Sequence, residues 1–263
     1  MRGFRNLPAL KSLAMATGAV VMGLASQPAA AQATIESAND LKFEFVPYLW
    51  LAGVRTDLKL GPLPANTVHV SSTSLLKALD FAAMGTLEAR KGDWGGLLDL
   101  QYIRLGVSNQ LAGGLLGAFN VRLVEQIYTI SGFYRVVNSP SVEVDLIGGA
   151  RYANIQTTQS FDPSLLGPGR QDQSTTAWWN GIVGVRALVP LNDKWSLMGY
   201  LYGGDGNGST SWQAIAGTSY QYSPTTSFKF GYRYLSFDRK DDNPGAIKKM
   251  AMGGIYLGAG FKF

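Results

Sequence analysis

Residues 228–234 read FKFGYRY, and two kinds of side chain alternate strictly along this stretch. Every even-numbered residue is aromatic, whereas every odd-numbered residue is basic or glycine. Because successive side chains of a β-strand point to opposite faces, one face of this strand is apolar and the other is charged. A membrane β-barrel turns such an apolar face to the lipid and its polar face to the lumen.

The same alternation recurs along the chain and predicts ten strands. Residues 41–45 (LKFEF), 98–102 (LDLQY) and 142–146 (VEVDL) each place their polar residues on one face. Most predicted strands are long enough to cross a bilayer at a tilt near 45°, which takes ~9–11 residues. The predicted segments are 41–52, 82–91, 94–106, 121–136, 142–155, 177–189, 195–204, 210–222, 226–237 and 249–263.

The connections between these segments alternate in length. Every second connection is a short turn, at 92–93, 138–141, 190–194 and 223–225. The connections between these turns are longer, with the exception of 205–209. Bacterial outer-membrane barrels have short periplasmic turns, longer outer loops and an even number of strands. We therefore predict an all-β fold, a transmembrane up-and-down antiparallel β-barrel of about ten strands. Eight strands remain an alternative, and so do twelve if residues 54–60 and 67–72 both cross the bilayer.

The first long connection contains the one helical pattern, at residues 74–80 (SLLKALD). Ser72 or Ser74 can cap this short helix, and Leu75, Leu76 and Leu79 share one of its faces. The helix is expected either over the barrel mouth or inside the barrel as a plug.

The N-terminus has the pattern of an export signal. Arg2, Arg5 and Lys11 precede an apolar run at residues 13–25, and residues 29–33 (AAAQA) offer small residues for cleavage. This apolar run is shorter than the ~20 residues of a membrane-spanning helix. We expect residues 1–33 to be a cleaved signal peptide and residues 34–263 to form the barrel, located in the cell outer membrane.

Composition excludes several classes of function. The formal net charge is +5, and it falls to +2 without the three basic residues of the leader, which is too little for a nucleic-acid binder. The absence of cysteine excludes disulfides, thiolate metal sites and cysteine nucleophiles, and a single histidine excludes multi-histidine metal sites. We expect no metal and no cofactor.

Turning the polar face of each strand inward fills the lumen with charge. Small barrels are filled by side chains, and buried charges must be paired. The interpretation is an ion-paired, largely closed lumen, and a narrow, weakly anion-preferring pore is the alternative. The predicted lumen charges are Lys42, Glu44, Glu88, Arg90, Asp99, Glu125, Arg135, Glu143, Asp145, Arg151, Arg186, Lys229, Arg233 and Lys262.

Aromatic residues mark two further features. Trp94 and Trp195 each follow a predicted periplasmic turn, where an indole ring suits the membrane–water interface. The last strand carries Phe261 and Phe263 on its apolar face, and the terminal Phe263 resembles the assembly signal of Gram-negative outer-membrane barrels.

Three stretches resemble a poorly characterised family of small proteobacterial outer-membrane proteins. They are residues 47–53 (PYLWLAG), 79–81 (LDF) and 88–95 (EARKGDWG). The resemblance covers the mature chain, and it implies outer-membrane lipid and lipopolysaccharide as surroundings. It also implies the barrel-assembly machinery as a partner of the C-terminal strand. The family offers no catalytic residues to carry over, and the oligomeric state stays open.

His69 is the only histidine of the sequence and therefore the only candidate for a catalytic imidazole. Outer-membrane hydrolases use a histidine base, but here the acidic candidates Asp57 and Asp80 are distant, and no G-x-S-x-G pattern occurs. Residues 204–209 (GDGNGS) begin like a calcium loop, but Ala216 stands where the loop needs glutamate, so a glycine-rich turn is predicted. We expect no enzyme but a structural or surface-interaction barrel. A porin-like passage for small or hydrophobic solutes and a lipid or peptide hydrolase are the alternatives.

Overall fold

The computed structural model describes residues 40–58, 66–110, 118–163, 168–240 and 247–263, and the predicted signal peptide lies outside them. Its described ranges form eleven strands and one short helix. The elements are β1 (Lys42–Leu58), β2 (Asn66–Val70), α1 (Ser72–Lys77), β3 (Leu79–Lys91), β4 (Trp94–Gln110), β5 (Ala118–Asn138), β6 (Glu143–Phe161), β7 (Arg170–Pro190), β8 (Trp195–Gly206), β9 (Ser209–Gln221), β10 (Thr226–Arg239) and β11 (Ile247–Lys262).

Ten of these strands close into an antiparallel barrel. Strands β3 to β11 pair in chain order, β1 pairs with β3, and β11 returns to β1 from Glu44↔Lys262 onward. The predicted ten-stranded barrel is therefore confirmed. The twelve-stranded alternative is wrong because β2 has five residues and pairs with the far end of β1, from Val54↔Val70 outward.

The side chains alternate across the barrel wall as predicted. Phe228, Phe230 and Tyr232 are 37%, 42% and 53% exposed on the outside, whereas Arg233 is 1% exposed in the lumen. The wall thus has an apolar outer surface, which suits lipid and would be costly in water.

Aromatic pairs form two levels on the outer surface. We call the end with the short turns and the C-terminus the turn side, and the opposite end the loop side. Trp212 and Tyr220 on β9 mark the two levels and lie eight residues apart, about 27 Å along the strand or roughly 20 Å after a tilt near 40°. This spacing is close to the height of the apolar band of outer-membrane barrels. The turn-side pairs are Trp94–Tyr134 and Trp195–Tyr220, and the loop-side pairs are Tyr152–Trp179 and Trp212–Tyr234.

The predicted helix exists, but with a different cap and position. Ser71 is the N-cap, because its backbone is extended and its Oγ accepts a hydrogen bond from the Ser74 amide at 3.2 Å. No residue of α1 is buried, so the helix lies against the wall and is not a plug within the lumen. Among the described residues, no helix is long and apolar enough to cross a membrane.

The glycine-rich stretch at 204–209 is a tight hairpin turn, as predicted. Asn207 and Gly208 have φ angles of 49° and 68°, and two successive positive φ angles characterise the type I′ turn that suits a two-residue hairpin. Several strands also run further than predicted, since β6 continues to Phe161 and β7 begins at Arg170. The intervening connection is correspondingly short.

Among the described strands, the wall is interrupted between β1 and β3. Their pairing runs from Lys42↔Arg90 to Pro47↔Gly85 and ends there. Beyond this point the same edge of β1 pairs with β2 from Val54 onward, whereas its other edge pairs with β11 on both sides of Pro47. Residues 48–53 of β1 and 79–84 of β3 therefore face each other without ladder pairing.

Candidate functional site

The turn-side part of the lumen is organised around Asp145. Its side chain is 2% exposed and accepts hydrogen bonds from three arginines on three other strands. The donors are Arg90 at 2.8 Å, Arg135 at 2.7 Å and Arg186 at 2.6 Å. Such charge-assisted contacts are stronger than neutral hydrogen bonds, and they hold the three guanidinium groups together.

Two glutamates balance the remaining charge of these arginines. Arg186 donates to Glu88 at 3.1 Å, and Arg135 pairs with Glu143. The ring of Phe133 lies under both Arg90 and Arg186, with 4.4 and 4.6 Å between ring centre and guanidinium carbon. Lys229 and Glu44 form a further pair at 2.8 Å. We call Glu44, Glu88, Arg90, Arg135, Glu143, Asp145, Arg186 and Lys229 the turn-side cluster.

Strand register explains part of this cluster. Asp145 on β6 is directly opposite Arg135 on β5 and Arg186 on β7, so these side chains are cross-strand neighbours on the inner face. Glu88 meets Arg186 across the lumen, at a sequence separation of 98 residues. The curvature of the closed barrel, rather than any local pattern, makes that second contact.

A second layer lies at mid-height and is centred on Arg233. This guanidinium is 1% exposed and donates to Asp99 at 2.8 Å, Gln213 at 2.9 Å and the Tyr48 hydroxyl at 2.8 Å. Tyr48 in turn donates to Asp99 at 2.6 Å. We call Tyr48, Asp99, Arg151, Gln213 and Arg233 the central layer.

Arg151 completes the central layer with neutral partners. It is 1% exposed and donates to Thr129 at 3.1 Å and to Gln213 at 3.2 Å. Within the described part of the chain, no carboxylate lies within 4.0 Å of its guanidinium. Gln213 thus accepts hydrogen bonds from two buried arginines, which places two positive charges side by side.

The loop-side part of the lumen contains a large apolar cluster. Its buried side chains form one cluster in which the rings of Trp178 and Phe237 meet edge to face, 5.2 Å apart. Ile127 and Leu235 are 0% exposed in the same cluster. Sequence reasoning missed this cluster because it assigned apolar side chains to the lipid face. The numbering along the strand could have revealed it, because Leu235 and Phe237 are odd-numbered, like Lys229 and Arg233, and so lie on the same face of β10.

Two of the polar cavities between the described residues lie in the lumen. The larger, about 260 Å³, is lined by the turn-side cluster, and Lys262 stands at its rim. A smaller one of about 50 Å³ lies beneath Arg233 and Asp99 and has room for at most a few water molecules. On the loop side of these cavities, the central layer and the apolar cluster occupy the lumen.

Some predicted lumen charges lie apart from both layers. Lys42 and Lys262 are exposed at the turn-side mouth, and Lys262 donates to Gln221 at 3.1 Å. Glu125 is buried at 6% exposure on the loop side. His69 is exposed on β2, opposite Arg55 of β1. No group of three or more His, Cys, Asp or Glu side chains able to hold a metal occurs in the described ranges.

The C-terminal residues lie on the barrel exterior. Phe261 and Phe263 are 44% and 72% exposed, and Phe263 exchanges two backbone hydrogen bonds with Phe43 while its ring stacks on the Phe43 ring at 5.6 Å. Their role as an assembly signal stays a prediction, as does the interfacial role of Trp94 and Trp195.

Comparison with known proteins supports the fold. No protein-family model and no curated protein matches the chain. The outer membrane protease OmpT from Escherichia coli matches with a TM-score of 0.53 and 9% identity, over 86% of this chain and 97% of that chain. The chain has the fold of an outer-membrane β-barrel.

Two other solved barrels are similar at lower scores. Ail of Yersinia pestis has a TM-score of 0.35 and 12% identity, over 86% of this chain and 99% of that chain. OprG from Pseudomonas aeruginosa has a TM-score of 0.30 and 12% identity, over 86% of this chain and 97% of that chain. The similarity to OmpT, at 9% identity, concerns the fold alone.

Proposed function

We propose that this barrel has a structural or surface-interaction role in the outer membrane and that its lumen does not conduct ions. One observation carries the proposal: Arg233, Asp99 and Tyr48 bond to one another across the lumen at mid-height. Removing one partner of a buried pair of this kind costs ~3–5 kcal/mol. An ion would have to displace this layer and then pass the apolar cluster beyond it.

The long strands support a role at the cell surface. On β5, ten residues separate Tyr128, at the level of the loop-side rings, from Ala118, where the strand begins. At ~3.4 Å per residue this is about 34 Å of strand beyond that level. The paired extensions of β4 to β7 form a raised sheet with polar residues such as Asn120, Ser160 and Gln171. A sheet raised above the lipid offers a surface to other molecules.

The surroundings and partners belong to the same proposal. Outer-membrane lipid meets the apolar wall, and lipopolysaccharide phosphates meet basic residues of the last outer connection, such as Lys240 and Lys249. The barrel-assembly machinery recognises the last strand through Phe261 and Phe263. We place the protein in the small proteobacterial family that its motifs resemble, and we propose that it is not an enzyme.

Planar-bilayer recording tests the closed lumen. The mature chain, residues 34–263, is refolded and shown to be β-sheet by circular dichroism before single-channel current is recorded. We expect no conductance steps, with a known porin in the same preparation as the positive control. Stable steps whose ion selectivity changes in Arg233→Gln or Arg151→Gln would overturn the proposal and establish a pore.

A further inference from the structure

The interruption between β1 and β3 contains a largely apolar cavity. Its volume is about 320 Å³, within the ~300–1,000 Å³ range of small-molecule sites. Leu75 and Leu76 of α1 form part of its lining, and Met84 of β3 and Met252 of β11 form another part. The short helix therefore borders the cavity at the point where strand pairing is absent.

This cavity passes through the barrel wall. Trp50 and Ala52 reach it from the inner face of β1, whereas Leu49 and Leu51 reach it from the outer face of the same strand. Leu49 is 58% exposed on the outside, and Trp50 is 5% exposed inside. A pocket lined by both faces of one strand connects the lipid side of the wall with the loop-side lumen.

One residue of the cavity lining has a buried polar atom without a hydrogen-bond partner. Glu125 lines the cavity and is 6% exposed, and its Oε1 is shielded from solvent with no hydrogen-bond partner in the described part of the chain. A buried acceptor left unsatisfied is costly, so a donor is expected to meet it. Ser72 of α1 is the other polar residue of the lining.

The volume sets the size of a fitting molecule. A methylene group is about as large as a water molecule, whose share of liquid volume is ~30 Å³, so the cavity holds about ten such groups. Burial of each methylene group favours binding, as does the apolar lining. A lipid acyl chain would fill the space, but its terminal methyl group offers no donor to Glu125.

We propose that this pocket binds one linear aliphatic molecule of about ten carbons that ends in a hydroxyl or amino group. The molecule reaches the pocket from the membrane between β1 and β3. Its polar end donates a hydrogen bond to Glu125 Oε1, and its chain lies along Trp50 and Leu75. This site is independent of the closed lumen proposed above, because a ligand entering through the wall crosses neither charged layer.

Quenching of Trp50 fluorescence by 10-bromodecan-1-ol tests the pocket in the folded protein in lipid vesicles. We expect saturable quenching that disappears in Trp50→Phe, whose other tryptophans remain as the background. Ala82→Phe fills the cavity from β3, and we expect it to weaken binding at least tenfold. Ala83→Phe is its matched control, since the adjacent side chain points to the outer face and does not line the cavity.

A second pair of variants tests the role of Glu125. We expect Glu125→Leu to weaken binding of the bromoalcohol about tenfold, as the loss of one buried hydrogen bond predicts, and to leave binding of 1-bromodecane unchanged. Ser131→Ala is the control, because it removes another buried and unpartnered oxygen from the same strand, outside this pocket. Circular dichroism verifies folding, and Ala82→Phe keeps the test intact if Glu125→Leu fails to fold.

Three outcomes would overturn the proposal. Equal binding of 1-bromodecane and 10-bromodecan-1-ol to the unmodified protein would remove the acceptor role of Glu125. Quenching that Ala82→Phe leaves intact would place the probe elsewhere. Vesicles of brominated phospholipid that quench Trp50 fully, without competition from decan-1-ol, would show that a membrane acyl chain occupies the pocket.

Discussion

The two halves of the lumen are closed by opposite chemistries. On the turn side, Asp145 and Arg186, which are 2.6 Å apart, belong to a cluster of paired charges. On the loop side, Trp178 and Leu235 belong to a cluster of buried apolar side chains. The inner face of a small barrel therefore has no single polarity, and either chemistry can fill the space.

The halves differ in how they respond to the loss of one side chain. A buried ion pair stabilises the fold only while both partners are present, because removal of one leaves a buried charge uncompensated. Apolar packing is not directional, and its contribution follows the apolar area and volume that are lost. Substitutions in the two halves should therefore differ in size and in their dependence on the substituted group.

The largest effect is expected at Asp145. Asp145→Asn keeps the shape of the side chain but removes the charge that three arginines share, and it should lower the free energy of unfolding by ~3–5 kcal/mol. Urea unfolding of the protein from lipid vesicles, followed by tryptophan fluorescence, measures this change.

Asp172 provides the matched control for Asp145. It pairs with Arg170 at 3.0 Å, but these two side chains are 60% and 75% exposed, so Asp172→Asn should change the free energy of unfolding by at most ~1 kcal/mol. Equal effects at Asp145 and Asp172 would contradict the view that the turn-side cluster depends on buried charge.

A smaller effect is expected in the apolar half. Leu235→Ala removes a side chain that is 0% exposed and should lower the free energy of unfolding by about 3 kcal/mol, through lost burial and the cavity left behind. The same urea experiment measures it. Leu257→Ala, on the lipid-facing surface at 37% exposure, is the control and should cost less. A larger loss at Leu257 would show that packing on the outer surface contributes more to stability than the apolar cluster does.

The alternation of side chains along each strand made the fold predictable. The contacts that lumen residues make with one another could not be predicted. The alternation at residues 228–234 assigned Lys229 and Arg233 to the lumen, and the structure places both there. Leu235 and Phe237 are also odd-numbered and lie on the same face as Lys229 and Arg233. Because they are apolar, the sequence analysis expected them to face lipid, and it therefore missed the apolar cluster. Contacts such as Glu88 with Arg186 depend on barrel closure, which no local pattern contains.

The interruption of the wall had a partial signal in the sequence. Pro47 lies in the first strand at the residue where pairing with β3 ends, and the helix at Ser72–Lys77 follows in the next connection. Neither feature alone gives the divergence of β1 from β3, because that depends on β1 pairing with β2 further along. The pocket beside α1 depends on β1, β3 and α1 together with the neighbouring strands β4, β5 and β11.

The smallest effect is expected at Arg151, and it sharpens the comparison within the central layer. Arg151 and Arg233 are both 1% exposed, but Arg233 bonds to the carboxylate of Asp99 whereas Arg151 bonds to the neutral Thr129 and Gln213. Arg233→Met should cost ~3–5 kcal/mol of unfolding free energy because Asp99 is left buried and uncompensated. Arg151→Met leaves no carboxylate behind and removes one of two adjacent positive charges, so it should change stability by less than ~1 kcal/mol or raise it. Urea unfolding of both variants decides the matter: an equal loss for the two would mean that the buried guanidinium itself, and not its ionic partner, stabilises the layer that closes the lumen.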